Sequence, residues 1–123
     1  MSPRIWIRRA YDPPSPVDGS RVLVDRLWPR GVTKVDLRID DWTRELAPSD
    51  DLRHWFGHDP DRWEEFRTRY RRELASMSGE GRAELDSLVA RVADGRVTLV
   101  FGSRDEAHNN AVVLREVLEE RAR

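Results

Sequence analysis

The chain has 123 residues, with 22 Lys or Arg against 23 Asp or Glu and a net charge of −1. This length is enough for one folded domain over residues 1–123, and the near-neutral charge provides no long-range attraction to nucleic acid or to anionic membranes. The absence of Cys excludes disulfides, thiolate nucleophiles and Cys-ligated zinc, and it fits a reducing, cytoplasmic location.

Two short apolar runs predict β-strands in the first quarter of the chain. Residues 4–8 read Arg-Ile-Trp-Ile-Arg, and residues 21–25 read Arg-Val-Leu-Val-Asp, which is typical of a buried strand. The segment 11–20 between them contains three prolines, which lack amide donors, so it is expected to be a stiff loop.

The centre of the chain predicts three helices. The first is an amphipathic helix whose apolar positions would be Val35, Ile39, Trp42 and Leu46. Ser49 is expected to cap a second, short helix that ends at Gly57. Asp59 and Pro60 begin the third, whose apolar positions are Trp63, Phe66, Tyr70, Leu74 and Met77.

The last third predicts a helix, a strand and a final helix. An apolar stripe that ends before Gly95 indicates the first of these helices, and residues 96–101 read as a buried strand. Ser103 and Glu106 form a capping-box pattern, which predicts that the last helix begins at Ser103. On that helix Asn110 would face inward and satisfy backbone groups at a strand end.

This order of elements predicts an α/β fold with a small, mostly parallel sheet of about three strands covered by four or five helices. The strand after Gly95 is expected to be parallel and central, while the order of the other strands stays open. Because ligands of such sheets bind at the carboxyl ends of the strands, residues 25–31 and 102–110 are expected to converge on one site.

The first converging segment carries charged and aromatic groups suited to an anion. Arg26 and Arg30 can hold a phosphate or carboxylate bidentately, Trp28 can line the cleft, and Gly31 lets a ligand approach the backbone. Asp25 would orient them. The alternative is a structural one, in which Asp25 pairs with an arginine to order the turn and Trp28 belongs to the core.

The second converging segment adds a predicted helix N-terminus, which favours anions. Ser103 and Asn109 would lie close to the ligand, and Arg104 would supply a countercharge. One helical turn would place Arg104 and His108 on the same face, away from the buried stripe. His108 is therefore the candidate general acid or base, against the alternative of an exposed and inert histidine.

Other patterns favour structural explanations. His54 and His58 have the spacing of a zinc-binding pair, but Gly57 lies between them and interrupts the helix, so no metal site is expected. The arginines of the 60–77 helix are interleaved with glutamates, which indicates a solvated face with local ion pairs. No P-loop, dinucleotide fingerprint, nucleophile elbow or zinc ribbon is present, and no cofactor is expected.

Four ordered motifs resemble the YeaO-like branch of the bacterial proteins catalogued as domain of unknown function 488. The motifs occupy residues 22–31, 45–49, 55–60 and 108–111. The resemblance implies an α/β fold and implies that the segments around Asp25 and His108 belong to the family pattern, but it assigns no substrate. Other branches carry cysteine after the last strand, where this chain reads Val-Phe-Gly-Ser-Arg, and this difference disfavours a thiol mechanism.

Three functional hypotheses follow. The preferred one is a cleft that binds a small anionic or phosphorylated ligand and supports hydrolysis or transfer on it. The second is a regulatory module that contacts a protein or, less readily at this net charge, a nucleic acid. The third is an assembly role in which Arg and Trp residues form a homodimer interface. No membrane partner is expected, because no window has the apolar length of a span.

Overall fold

A four-stranded parallel sheet forms the centre of the computed structural model, which describes residues 4–122. The strands are β1 (Ile5–Arg9), β2 (Ser20–Leu23), β3 (Asp41–Trp42) and β4 (Val97–Phe101), in the spatial order β1-β4-β2-β3. β4 pairs in parallel with both β1 and β2. The α/β class and the central, parallel position of the strand after Gly95 are therefore confirmed.

Five α-helices surround the sheet within the described residues. They are α1 (Lys34–Leu37), α2 (Asp50–Phe56), α3 (Trp63–Ala75), α4 (Gly79–Asp94) and α5 (Asn110–Arg121). The side chain of Ser49 accepts the Leu52 N–H and caps α2, and Gly57 ends that helix in the left-handed region at φ 53°, as the sequence predicts. None of these helices is long and apolar enough to cross a membrane.

The amphipathic helix predicted over residues 35–46 is wrong. Apart from a 3-10 turn at Arg44–Leu46, only α1 is helical there, because Arg38 takes a left-handed conformation at φ 51° and ends the helix after one turn. The backbone then pairs with β2: the Asp40 N–H donates to Arg21 O, and the Thr43 N–H donates to Leu23 O. The spacing of the apolar residues fits a helix, but pairing with the neighbouring strand gives the fourth strand instead.

The predicted start of the last helix at Ser103 is also wrong. α5 begins at Asn110, and its cap is Asn109, whose side chain accepts the Val112 N–H. The Asp105 carboxylate takes the N–H groups of Ala107 and His108, so the segment before Asn110 folds as a tight non-helical loop. The expected shared helix face of Arg104 and His108 is therefore absent from this segment.

The core lies on both faces of the sheet. Successive side chains of β4 alternate between them: Leu99 and Phe101 join the larger cluster, which α2 to α5 help to form, while Val100 packs in the smaller one with Leu23 and Leu37. Because both faces are covered, the carboxyl ends of β2 and β4 are the part of the sheet that remains open to a ligand.

Candidate functional site

A cleft of about 820 Å³ lies at the carboxyl ends of β2 and β4. We call it the Asp25 cleft after the residue at its floor. It brings together residues of both segments that the sequence predicts to converge. Its lining consists of Tyr11, Asp25, Arg26, Leu27, Trp28, Pro29, Arg30, Ala47, Pro48, Arg53, His54, Phe56, Gly57, His58, Phe66, Gly102, Ser103, Arg104, Asp105, Asn109 and Asn110.

The carboxylate of Asp25 is held by two neutral donors. Its Oδ2 accepts the Gly102 N–H at 2.8 Å, and its Oδ1 accepts the Asn110 side-chain amide at 3.1 Å. Asn110 also donates to Val24 O at 3.0 Å, which satisfies the backbone just after β2. The inward orientation predicted for Asn110 is thus present, and this residue fixes Asp25 at the end of the strand.

Burial dominates the electrostatics of Asp25. Removal from water raises the pKa of the Asp25 carboxyl above its ordinary value. This effect outweighs the Gly102 N–H, the Asn110 amide and the nearby His58 and Arg53 side chains, which lower the pKa. A titratable group in a cleft whose pKa is shifted by burial is a frequent feature of functional sites.

The arginines of the cleft differ in the number of hydrogen bonds and ion pairs that their guanidinium groups make with the rest of the protein. Arg26 donates to the carbonyl oxygens of Ala47 and Pro48 and lies 3.8 Å from Glu45, so it fastens the 45–48 segment. Among residues 4–122, the guanidinium groups of Arg30 and Arg104 have no hydrogen-bond or ion-pair partner, although both line the cleft.

A third arginine of the cleft, Arg53, is only partly paired, and the sequence alone does not predict its place there. Arg53 pairs with Asp50 at 3.3 Å, while its Nε is buried and has no partner in the described part of the chain. Arg53 lines the cleft and faces Asp25 closely enough to affect its charge. Its position on α2 gave no sequence signal, because an isolated arginine on a short helix is ordinarily a surface residue.

Trp28 serves the core and the cleft together. Its indole N–H donates to Val32 O at 2.6 Å, and its ring meets Trp42 edge to face at 5.5 Å, in the smaller core cluster. One side of the ring still lines the cleft. Gly31, at φ 80°, provides the left-handed turn between Arg30 and Val32 and is outside the cleft lining.

The loop before α5 is rigidly tied to its surroundings. Arg9 Nε donates to Ser103 O at 2.9 Å, and Ser103 Oγ accepts the Asp105 N–H at 3.2 Å. Asn109 is buried, and its amide donates to Asp105 O while its oxygen caps α5. Ser103 and Asn109 therefore shape the cleft wall with polar groups that are largely occupied by the protein itself.

His108 lies beside the cleft and is not part of its lining. Its Nδ1 is 2.9 Å from Asp105 Oδ2, and its ring packs edge to face on Trp63 at 5.2 Å. The hydrogen bond to His108 is the main reason that the pKa of the Asp105 carboxyl is below its ordinary value. These contacts make His108 a residue that supports the loop.

Two other histidines, His54 and His58, do line the cleft. His58 has a left-handed backbone at φ 58°, next to Gly57 at φ 53°, which is unusual for a residue with a side chain. The sequence feature that could have predicted this placement of His58 is the turn between α2 and α3, where Gly57 predicts a reversal of the chain. Within residues 4–122, no group of three or more His, Asp or Glu is arranged to hold a metal ion.

Comparison with known proteins finds relatives over nearly the whole chain. Residues 4–123 match a family model described as the inactive DUF488-N3 subclade. The chain is 42% identical over 115 residues to the uncharacterised protein Rv3073c of Mycobacterium tuberculosis, which covers 94% of this chain and 93% of that protein. It is 40% identical over 114 residues to the uncharacterised protein YeaO of Escherichia coli, covering 93% and 96% respectively. No solved structure matches the chain at comparable significance.

Proposed function

The chain belongs to the family of the domain of unknown function 488, as its four motifs predict, and we propose that it binds a small anionic or phosphorylated ligand in the Asp25 cleft. The observation that carries this proposal is the placement of two unpaired guanidinium groups, Arg30 and Arg104, on a cleft of ligand-binding size within the described residues. A guanidinium group binds phosphate or carboxylate through paired N–H donors.

Binding without turnover is the form of this function that we favour. His108, the acid or base expected from the sequence, has its Nδ1 engaged by Asp105 and its ring by Trp63. The matching family model describes its subclade as inactive, which agrees with a cleft that recognises a ligand and does not transform it.

The experiment is a thermal-unfolding series with inorganic phosphate, pyrophosphate and ribose 5-phosphate, with neutral ribose as the reference ligand. A phosphorylated ligand at 100 times its Kd should stabilise the fold by about 2.7 kcal/mol, which raises Tm by several degrees. The double variant Arg30→Ala/Arg104→Ala should lose this shift.

The matched control is Arg82→Ala, which removes an exposed arginine of α4 that pairs with Asp86 outside the cleft. This variant should keep the full ligand-induced shift. Equal shifts in the wild type and in the Arg30→Ala/Arg104→Ala variant would contradict the proposal, and so would the absence of any shift across the whole panel.

A second candidate function is acid–base catalysis, which one specific pair of residues favours. Asp25, with its raised pKa, and His58, with its strained backbone, both line the cleft, and each feature is frequent at catalytic sites. Release of inorganic phosphate from the same panel, abolished in His58→Ala while ligand-induced stabilisation is retained, would establish hydrolysis. Intact ligand after prolonged incubation would leave binding as the function.

A further inference from the structure

The size of the cleft requires a ligand with a substantial body attached to its anionic group. Clefts of about 300–1,000 Å³ typically enclose small organic ligands, and the Asp25 cleft has about 820 Å³. Inorganic phosphate alone would leave most of this volume filled with water. The identity of the ligand therefore depends on the walls and floor as much as on the arginines.

The walls favour a flat, apolar body. Phe56 and Phe66 contribute an apolar base, since they are only 5% and 2% exposed and stack on each other with centroids 4.2 Å apart. Trp28 and Tyr11 add two further aromatic rings to the lining. Aromatic walls hold a planar ring system through offset or edge-to-face contacts.

The floor presents hydrogen-bond acceptors. Each oxygen of Asp25 accepts one bond from the protein, from Gly102 or Asn110, which leaves acceptor capacity on both oxygens. Both described bonds of the Asn110 amide use its Nδ2, as a donor to Val24 O and Asp25 Oδ1, so its oxygen is an additional acceptor. The partner best suited to this floor has two adjacent N–H donors on the edge of a planar ring.

Among the common nucleobases, guanine has this edge, because its ring N1–H lies beside its exocyclic 2-amino group. Adenine and cytosine place an acceptor nitrogen next to their amino group, and uracil has a single N–H between two carbonyl oxygens. Proteins that enclose a base read this edge by hydrogen bonds and hold the ring between aromatic side chains.

We infer that the Asp25 cleft binds a guanine mononucleotide, with the N1–H and 2-amino group on the Asp25 carboxylate, the ring against the Trp28 and Tyr11 side chains and the phosphate on Arg30 and Arg104. This inference rests on the proposed function and specifies its ligand. Asp25 is then the residue that determines base specificity, and the arginines provide affinity for any phosphorylated compound.

The test measures binding to the wild-type protein by isothermal titration calorimetry with ligands that differ in one group at a time. GMP should bind at least about tenfold more tightly than ribose 5-phosphate, AMP or CMP, a ratio that corresponds to about one charged hydrogen bond. N1-methyl-GMP, which keeps the phosphate and the ring but lacks the N1–H, should lose about the same factor.

Two variants assign the preference to the floor. Asp25→Asn should reduce the ratio of GMP to ribose 5-phosphate affinity to near unity while keeping affinity for the phosphate. Asp36→Asn, the same substitution at an exposed position of α1 outside the cleft, should leave the ratio unchanged. Because N1-methyl-GMP tests the same contact in unaltered protein, the inference stays falsifiable even if Asp25→Asn unfolds.

The possible results separate this inference from the proposed function. Equal affinity for GMP, N1-methyl-GMP and ribose 5-phosphate would overturn the guanine inference and leave the anion site standing. Tightest binding of AMP or CMP would overturn it in the same way. Equal affinity for guanosine and GMP would overturn the anion site, and with it the phosphate contact of the inferred nucleotide, while the guanine contact of Asp25 would stand. Binding of none of these compounds would overturn both.

Discussion

Two aspartates, the buried Asp18 and the half-buried Asp25, flank the same strand and have opposite surroundings. Asp18, before β2, is fully buried, and its Oδ2 accepts the Arg21 guanidinium at 2.7 Å and the Ser15 N–H at 2.9 Å. Asp25, after β2, is held by the neutral Gly102 N–H and the Asn110 amide, and it lines a cleft. One carboxylate has a cationic partner inside the protein, whereas the other is exposed to whatever enters the cleft.

The two aspartates differ in whether the protein supplies their charged partner. Arg21 is buried too, and its Nε and Nη2 donate to Leu37 O, so the Asp18–Arg21 pair joins the loop before β2 to α1. A buried charge is tolerated when it is paired and hydrogen-bonded. Asp25 lacks a cationic hydrogen-bond partner among residues 4–122, which is the arrangement expected where a ligand supplies the remaining donors.

The largest predicted effect is on Asp18. Asp18→Ala leaves the buried Arg21 guanidinium without its carboxylate, which should lower the free energy of unfolding by about 3–5 kcal/mol. Urea denaturation measures the change, with Asp36→Ala on the exposed surface of α1 as control, expected within about 0.5 kcal/mol of the wild type. If Asp18→Ala lowers the free energy of unfolding as little as the control does, the ion pair of Asp18 with Arg21 does not stabilise the fold, and the contrast with Asp25 fails.

A smaller loss of stability is expected for Asp25→Ala. The variant leaves the Gly102 N–H without its acceptor, but it also removes a poorly solvated carboxylate, and water can enter the cleft to replace it. The net loss in urea denaturation should be about 1–2 kcal/mol. If Asp25→Ala destabilises the protein as much as Asp18→Ala, Asp25 is a structural residue and the contrast between the two ends of β2 fails.

Gly102→Ala tests how closely the cleft floor is packed. A Cβ at position 102 would lie 3.2 Å from Asp25 Oδ2, so the carboxylate must shift to accommodate the methyl group. We expect a loss of about 1 kcal/mol in unfolding free energy and a severalfold loss of GMP affinity in calorimetry. The control is Gly95→Ala, where no atom lies within contact distance of the added Cβ. Unchanged GMP affinity in Gly102→Ala would show that Asp25 does not contact the ligand.

The contrast between the two aspartates could be anticipated only in part from the sequence. The apolar run over residues 21–25 predicts β2, and its end places Asp25 at the carboxyl edge of the sheet, because parallel α/β sheets bind ligands there. No sequence pattern around Asp18 predicts its burial or its pairing with Arg21. Its pairing with Arg21 depends on the path of the proline-containing loop, which side-chain hydrogen bonds such as Ser15 N–H to Asp18 fix.

The errors have a common physical origin. The helix predicted around Ile39 and the capping box at Ser103 both follow from local sequence patterns. The backbone of these segments instead forms hydrogen bonds that those patterns do not predict. Pairing with β2 produces β3, and the Asp105 carboxylate binds the amides of the loop before α5. The sequence therefore predicts a helix face for His108, and it predicts no place in the cleft for Arg53 and His58, which line it.

The smallest predicted effect is a difference in pH dependence, and it follows from the raised pKa of Asp25. A carboxyl group whose pKa is higher in the folded than in the unfolded state favours folding when it is protonated. Its contribution to stability is therefore fully present below the unfolded pKa of about 3.9 and is lost as the pH rises through the folded pKa. Asp25→Asn cannot lose a proton and should lack this dependence.

The measurement is the free energy of unfolding of the wild type and of Asp25→Asn from pH about 3 to pH about 7. All other titrating groups are shared, so the difference between the two proteins isolates Asp25, and the wild type should lose stability relative to the variant as pH rises. A constant difference would show that the Gly102 and Asn110 donors keep the pKa of Asp25 at its ordinary value.

Saturating GMP should reverse the pH trend of the wild type, because N–H donors from the base stabilise the ionised carboxylate and lower its pKa. Substitution of Asp18, which is not part of the cleft lining, should leave the GMP-dependent part of the curve unaffected.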